Sequence, residues 1–243
     1  MRKSTCLVAL ILLGASGDAF GQTMVPLNTG YNHSNFTVYP APGSATVLDN
    51  YWVKVAANYP PINVPAFVIN THPAWQAPLS GGGFPSQWIG STTPDGKSPP
   101  IAQRPYAIYR KCFCLMPGYQ KAELSFQMRG DDFIQVWLNT VTSTIVTAQN
   151  GSFSGPPISG TAQPSQFRRG VNCLYVLVED PGGIVSGFNL AGTVSAFGLM
   201  PMAAAGRGIS FAPCQCEGDR RTALEDRATI QAIVKIAEDR QRR

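Results

Sequence analysis

Ala122-Glu123-Leu124-Ser125-Phe126-Gln127-Met128, Arg129-Gly130-Asp131-Asp132 and Phe133-Ile134-Gln135-Val136-Trp137-Leu138 follow one another without a break. In the first run Ala122, Leu124 and Phe126 alternate with Glu123, Ser125 and Gln127; in the last, Ile134, Val136 and Leu138 alternate with Gln135 and Trp137. A period of two sends one row inward and the other outward on a half-buried strand. Gly130-Asp131-Asp132 supplies the turn between them, with carboxylates placed to accept backbone N–H bonds. Working outward, Leu174, Val176 and Val178 form a third run between Gly170-Val171-Asn172 and Asp180-Pro181-Gly182-Gly183. Further strands are expected at Tyr51 to Val55, Ala66 to Ile69, Ala107 to Leu115 and Leu190 to Phe197. Gly170, Asn172 and Asn139 are assigned to turns, because glycine and asparagine tolerate unusual backbone angles. Roughly eight short strands with long polar connections make an all-β antiparallel sandwich, in which two sheets each bury one face.

Composition agrees with that reading. Only 14% of the 243 residues are charged, while 24 Gly and 20 Pro break helices, so a helical bundle is disfavoured. A hydrophobic share of 44% is enough to build a core and argues against disorder. The charge is uneven: Gln22 to Cys216 holds ten basic and seven acidic residues, whereas Glu217 to Arg243 packs seven and six into a short tail. Despite a net charge of +5, the basic residues of the large part are scattered. Arg110-Lys111 and Arg168-Arg169 lie beside strand patterns and read as solvated edges, so no nucleic-acid partner is expected.

Arg2 and Lys3 precede an apolar run from Cys6 to Leu13, and Ala19 and Gly21 have the spacing that a signal peptidase reads. Residues 1–21 are therefore expected to be a signal peptide, and the product to be exported, secreted or periplasmic. That run is too short to span a bilayer, and no membrane span is expected elsewhere. An N-terminal extension (22–50), a sandwich (51–198), a linker holding Cys214-Gln215-Cys216 (199–217) and a C-terminal helix (218–243) complete the organisation. In the tail, Leu224, Ala228, Ile230, Ile233, Val234 and Ala237 recur at helical spacing, and Thr222-Ala223-Leu224-Glu225 is a capping-box signature. An amphipathic helix gains little stability alone, so its stripe wants a partner: its own sandwich, a second copy of the chain, or an envelope protein.

A series of motifs now carries a resemblance. Ser86-Gln87-Trp88-Ile89 is followed by Tyr109-Arg110-Lys111-Cys112-Phe113-Cys114-Leu115 and then by Ala122-x-Leu124-x-Phe126. After Gly130-Asp131-Asp132 and Val136-x-Leu138-Asn139 comes Phe167-Arg168-Arg169-Gly170, leading to Asn172-x-Leu174-x-Val176-x-Val178-x-Asp180. The order resembles the galactose-binding-like jelly-roll superfamily, in the forms found in bacterial exported proteins and as accessory modules of glycoside hydrolases. The resemblance implies a jelly-roll sandwich whose end loops often bind glycans, in some members with a structural calcium ion. The cysteine pairs and the charged tail are additions to that pattern.

For a ligand site, Trp137 shares a face with Phe133 and Gln135, opposite the buried row, and leads the candidates for an exposed aromatic. Trp75 and Tyr119, in loops, stand behind it; Trp52 and Trp88 read as core. The competing reading has Trp137 covered by a loop or by the tail. With Cys6 removed, Cys112, Cys114, Cys173, Cys214 and Cys216 are disulfide candidates. The preferred pairing ties a tail cysteine to Cys112 or Cys114, with Cys173 as the rival partner. Zinc held by the two C-x-C pairs is the sharper alternative. No other metal or cofactor is expected, since Asp131 and Asp132 fall short of the six or more oxygens that calcium takes. His33 and His72 lie in loops, and no G-x-S-x-G, H-E-x-x-H or phosphate-cradling loop is present. The expected function is thus an exported, non-catalytic module recognising carbohydrate or a cell-surface ligand. The alternative is a structural component of the envelope that uses its helix for protein contact or self-association.

Overall fold

The rows that alternate between Ala122 and Leu138 meet across one interior: Leu124, Phe126 and Met128 share an apolar cluster with Ile134, Val136 and Leu138, all buried. The computed structural model describes residues 22–90, 93–101, 104–148, 151–200 and 219–243. The expected signal peptide, Cys214, Cys216 and most of the expected linker lie outside the described residues.

In chain order the strands are β1 (Gln22–Pro26), β2 (Tyr31–Asn32), β3 (Thr37–Val38), β4 (Val47–Ala57), β5 (Val64–Val68), β6 (Ser80–Gly81) and β7 (Phe84–Pro85). They continue as β8 (Ile89–Gly90), β9 (Tyr106–Asp131), β10 (Phe133–Leu138), β11 (Thr144–Ala148), β12 (Ile158–Ala162), β13 (Gly170–Glu179) and β14 (Gly187–Met200), followed by the helix α1 (Asp219–Gln241). One layer runs β5-β4-β9-β13-β10-β11, and the other, β1-β14-β9-β12, uses the second half of β9. The pairings within both layers are antiparallel. β8 pairs with both β5 and β14 and joins the layers at one edge. The antiparallel jelly-roll sandwich with a terminal helix is therefore the fold.

Three local readings change. The two strands expected from Ala107 and from Ala122 are one long strand, β9, which leaves β13 and continues along β14 past Lys121, where φ is 48° and the β14 register shifts. Gly130-Asp131-Asp132 does turn the chain between the two runs, but since β10 pairs with β13 and β11, the turn carries the chain from one layer to the other. A Cβ on Gly130 would come within 2.3 Å of the Ile134 side chain, which is why this corner takes glycine. Finally, residues 22–50 belong to the sandwich. β1 pairs along β14, Val25 and Leu27 are buried in the core, and the Leu27 and Thr29 amides donate to Gly192 and Leu190. The turn assigned to Asn139 is present: with φ at 67°, its Nδ2 donates to Asn172 Oδ1 (2.9 Å) and its Oδ1 accepts from the Cys173 amide (2.9 Å).

The helix α1 lies on the outer face of the β4-β9-β13-β10 layer. Ile233 and Ala237 are buried with Val53, Ile108, Phe133, Trp137, Tyr175 and Leu177 in a second apolar cluster. Polar contacts clamp it: Arg110 pairs with Asp226, Arg168 with Glu225 (2.5 Å) and Arg240 with Glu179 (3.0 Å), while Thr229 donates to the Asn139 carbonyl (3.0 Å). The middle of the tail's apolar stripe, Ile233 and Ala237 with Ile230 and Val234 beside them, is thus spent on its own sheet, while Leu224 of the same spacing stays exposed. Helix α1 starts at Asp219, ahead of the expected cap at Thr222. Among the described residues no helix is long and apolar enough to cross a membrane.

Candidate functional site

At the end of the sandwich a cleft of about 600 Å3 opens between three loops. Asn70, Thr71, His72 and Pro73 come from the segment after β5; Asp95, Lys97 and Ser98 from that after β8; and Gly183, Ile184 and Val185 from the β13–β14 connection. Pro94-Asp95-Gly96 and Asp180-Pro181-Gly182-Gly183 make these connections turn sharply, which keeps polar backbone at the surface. Asp95 accepts from Thr93 (2.6 Å) and pairs with Lys97 (2.9 Å), and these contacts hold its carboxyl down to about 2. Ile184 is 69% exposed, an aliphatic side chain held among hydroxyl, amide, imidazole and charged groups.

Behind the cleft sit carboxylates. Asp180 accepts from Ser98 Oγ (2.5 Å) and from the Gly183 amide (2.8 Å), fixing two of the lining loops. Asp131 Oδ2 accepts from Trp75 Nε1 (2.7 Å), and the Trp75 ring stacks on Trp88 at 4.2 Å. Burial pushes the Asp131 carboxyl up to about 8, with the hydrogen bond and charge of Asp132 adding to it. Asp131 Oδ2 is tied to the Trp75 indole, and Asp180 is taken up by Ser98 and the Gly183 amide, which leaves these carboxylates short of the six or more oxygens that calcium takes. The calcium ion implied by the resemblance does not fit this group, and among the described residues no cluster of three or more His, Cys, Asp or Glu side chains is arranged to hold a metal.

The aromatics expected to meet a ligand are elsewhere occupied. Trp137 has no exposed surface: the outer row of β10 that was to face solvent lies under α1. The signal was in β13, where Leu174-Tyr175-Val176-Leu177-Val178 is apolar on both faces, as expected of a strand covered on both sides. Trp75 is 6% exposed, a wall behind the cleft rather than a platform in it. Tyr119 lies within β9 rather than in a loop, half-buried against the core. What sequence reasoning missed is the cleft itself, whose turn motifs at Asp95 and Gly183 were read only as punctuation.

The cysteines also rearrange the expectation. Cys112 and Cys173, opposite each other on β9 and β13, form a disulfide, so the rival partner is the actual one for Cys112. Cys114 is disulfide-bonded too, which removes the thiolates that a zinc site from the C-x-C pairs would need.

A second polar cluster is closed off. Lys111, expected at a solvated edge, is fully buried: it shares the inward row of Tyr109, Phe113 and Leu115. Its Nζ lies 2.9 Å from His33 Nε2, with Trp52 and Tyr51 rings within 6 Å of it. Burial lowers the amine to about 7, and burial together with Lys111 lowers His33 to about 2. Buried Asp49 accepts from the amides of Gly30 (2.6 Å), Tyr51 (2.9 Å) and Trp52 (3.2 Å), which anchors the same region. The arrangement supports structure, since neither the amine nor Asp49 is open to a substrate.

No family model and no curated protein matches the chain in sequence. Among solved structures it is similar to a family 35 carbohydrate-binding module from an environmental isolate, with 15% identity over 64% of this chain and 99% of that one at a TM-score of 0.32. It is also similar to a mutant family 29 carbohydrate-binding module, with 11% identity over 73% and 92% at 0.31. For a native family 35 module from Clostridium thermocellum the figures are 8% over 71% and 98% at 0.26. Overlap at this level assigns no ligand to this chain; the fold stands on its own sheet order.

Proposed function

We propose that the chain is an exported, non-catalytic binding module that takes a carbohydrate, or another polyhydroxylated cell-surface ligand, in its loop-end cleft. The observation that carries the reading is the lining of that cleft: hydroxyl, amide, imidazole, carboxylate and ammonium groups around aliphatic Ile184 and Val185. A sugar ring offers the complementary mixture of hydroxyls and apolar C–H faces. The volume falls within the roughly 300–1,000 Å3 of small-molecule clefts. The carboxylates behind the cleft are already bonded to Ser98, Gly183 and Trp75, which supports binding rather than acid–base chemistry. The Cys112–Cys173 disulfide supports export, because such bonds persist in oxidising compartments.

The test is a glycan array probed with the chain from Gln22 onward, with the positives titrated by calorimetry. At least one class of glycan should bind, and Ile184→Ala and Lys97→Ala should each weaken it about tenfold. An array without binding, or binding indifferent to both substitutions, overturns the reading.

A further inference from the structure

Phe36 sits in the hairpin formed by β2 and β3 and belongs to none of the apolar clusters. It is 72% exposed, the most exposed large apolar side chain among the described residues and the one aromatic in that group. Its φ of 58° is sterically costly for a residue with a bulky side chain, and the ring gains no burial in return.

The hairpin is nevertheless firmly made. Asn32 Oδ1 accepts from the Ser34 amide (2.9 Å), and Asn35 Oδ1 accepts from the amide (3.3 Å) and hydroxyl (2.7 Å) of Thr37. Ser34 Oγ meets Tyr51 Oη at 2.9 Å, and the His33 ring packs edgewise against Tyr31 and Tyr51 while bonding Lys111. In both asparagines the carboxamide oxygen is consumed inside the turn. No described residue accepts from either Nδ2 group; Asn35, next to Phe36 in the chain, is exposed, and Asn32 is half-buried.

We propose that this hairpin is a second carbohydrate-contacting site, in which Phe36 stacks on the apolar face of a sugar ring and the amides of Asn32 and Asn35 donate to its hydroxyls. The chemistry discriminates among the things an exposed ring can meet. A membrane surface favours several apolar side chains with Lys or Arg beside them, and residues 31–38 hold one phenylalanine and no lysine or arginine. A cationic ligand calls for an aromatic cage or a carboxylate, and the segment has neither Asp nor Glu. A lone exposed aromatic among neutral amides and hydroxyls suits a neutral polyhydroxylated ring. The inference extends the binding reading to a place that shares no residue with the cleft, so the two can fail separately.

The experiment is affinity electrophoresis of the chain from Gln22 onward through gels containing soluble xylan, mannan or β-glucan, comparing wild type, Phe36→Ala, Phe36→Trp and Ile184→Ala. Phe36→Ala should weaken retardation by about tenfold on at least one polysaccharide, and Phe36→Trp should retain it. Urea midpoints should match wild type, since the ring is exposed. Wild type and Phe36→Ala migrating alike in every gel overturns the site, and the cleft reading survives if Ile184→Ala alone abolishes retardation. Phe36-dependent pelleting with phosphatidylglycerol vesicles, without any Phe36-dependent retardation, overturns it in favour of a lipid surface.

Discussion

Lys111 shares the parity of Tyr109, Phe113 and Leu115, and on a strand parity decides which way a side chain points. Its amine enters the core and falls to about 7; Lys54, also buried, falls to about 8, both through burial. In the unfolded chain both keep the ordinary lysine value of 10.5. Above pH about 8 the unfolded state therefore holds protons that the folded state has released, so stability rises with pH. Tyrosine ionisation, ordinarily at 10.0, opposes this from there on. Urea midpoints between pH 8 and 10 should climb, with a slope of roughly 1.4 kcal/mol per pH unit for each lysine fully released. In Lys111→Met the slope should fall to about half of wild type. A wild-type midpoint that is flat or falling across this window would contradict the burial of both amines. The parity that places Lys111 inside was legible; the pair Arg110-Lys111 read as an edge because two adjacent charges suggest solvent.

Helix α1 shows what an element owes to its neighbours. Its spacing marks it as amphipathic, yet the stripe has value only where the β4-β9-β13-β10 face receives it. Ile233→Ala removes a fully buried side chain from that seam and should cost about 2–4 kcal/mol in urea unfolding. Leu224 belongs to the same apolar spacing but is 70% exposed, and Leu224→Ala should stay within about 0.5 kcal/mol. Equal effects at the two positions would mean that the helix docks by a different face. The same seam explains the fate of Trp137: alternation assigned its row correctly, and only the docked helix turned an outward row into an interior one. β9 teaches the converse. Its two halves were legible as separate strands but their continuity was not, because it is the partners in both layers that keep the chain extended between them.

Among the described residues the interior has three apolar clusters, one between the layers, one beneath the helix and a small one near the cleft. All four tryptophans fall within buried clusters: Trp52 in the first, Trp137 in the second, and Trp75 and Trp88 together near the cleft. Iodide should therefore quench native tryptophan emission far less than it quenches the urea-unfolded chain, and a glycan bound at the cleft mouth or at Phe36 should leave that emission nearly unchanged. Strong iodide quenching that Trp137→Phe removes would return Trp137 to the surface.

The sequence by itself determined the longer strands between Tyr51 and Phe197 with their inward rows, the turns beside them and the terminal helix, but not β1 to β3, β6 to β8, β11 or β12, because alternation, turn chemistry and helical spacing are local properties that show only over longer runs. Tertiary structure alone decided that β10 lies under α1, that Cys112 meets Cys173 across 61 residues, and that loops after β5, β8 and β13 converge on one cleft. Those are contacts between segments distant in the chain. They are selected by which apolar surfaces cover one another when the layers close; the doubly apolar run of β13 signals that something covers its outer face, but not what.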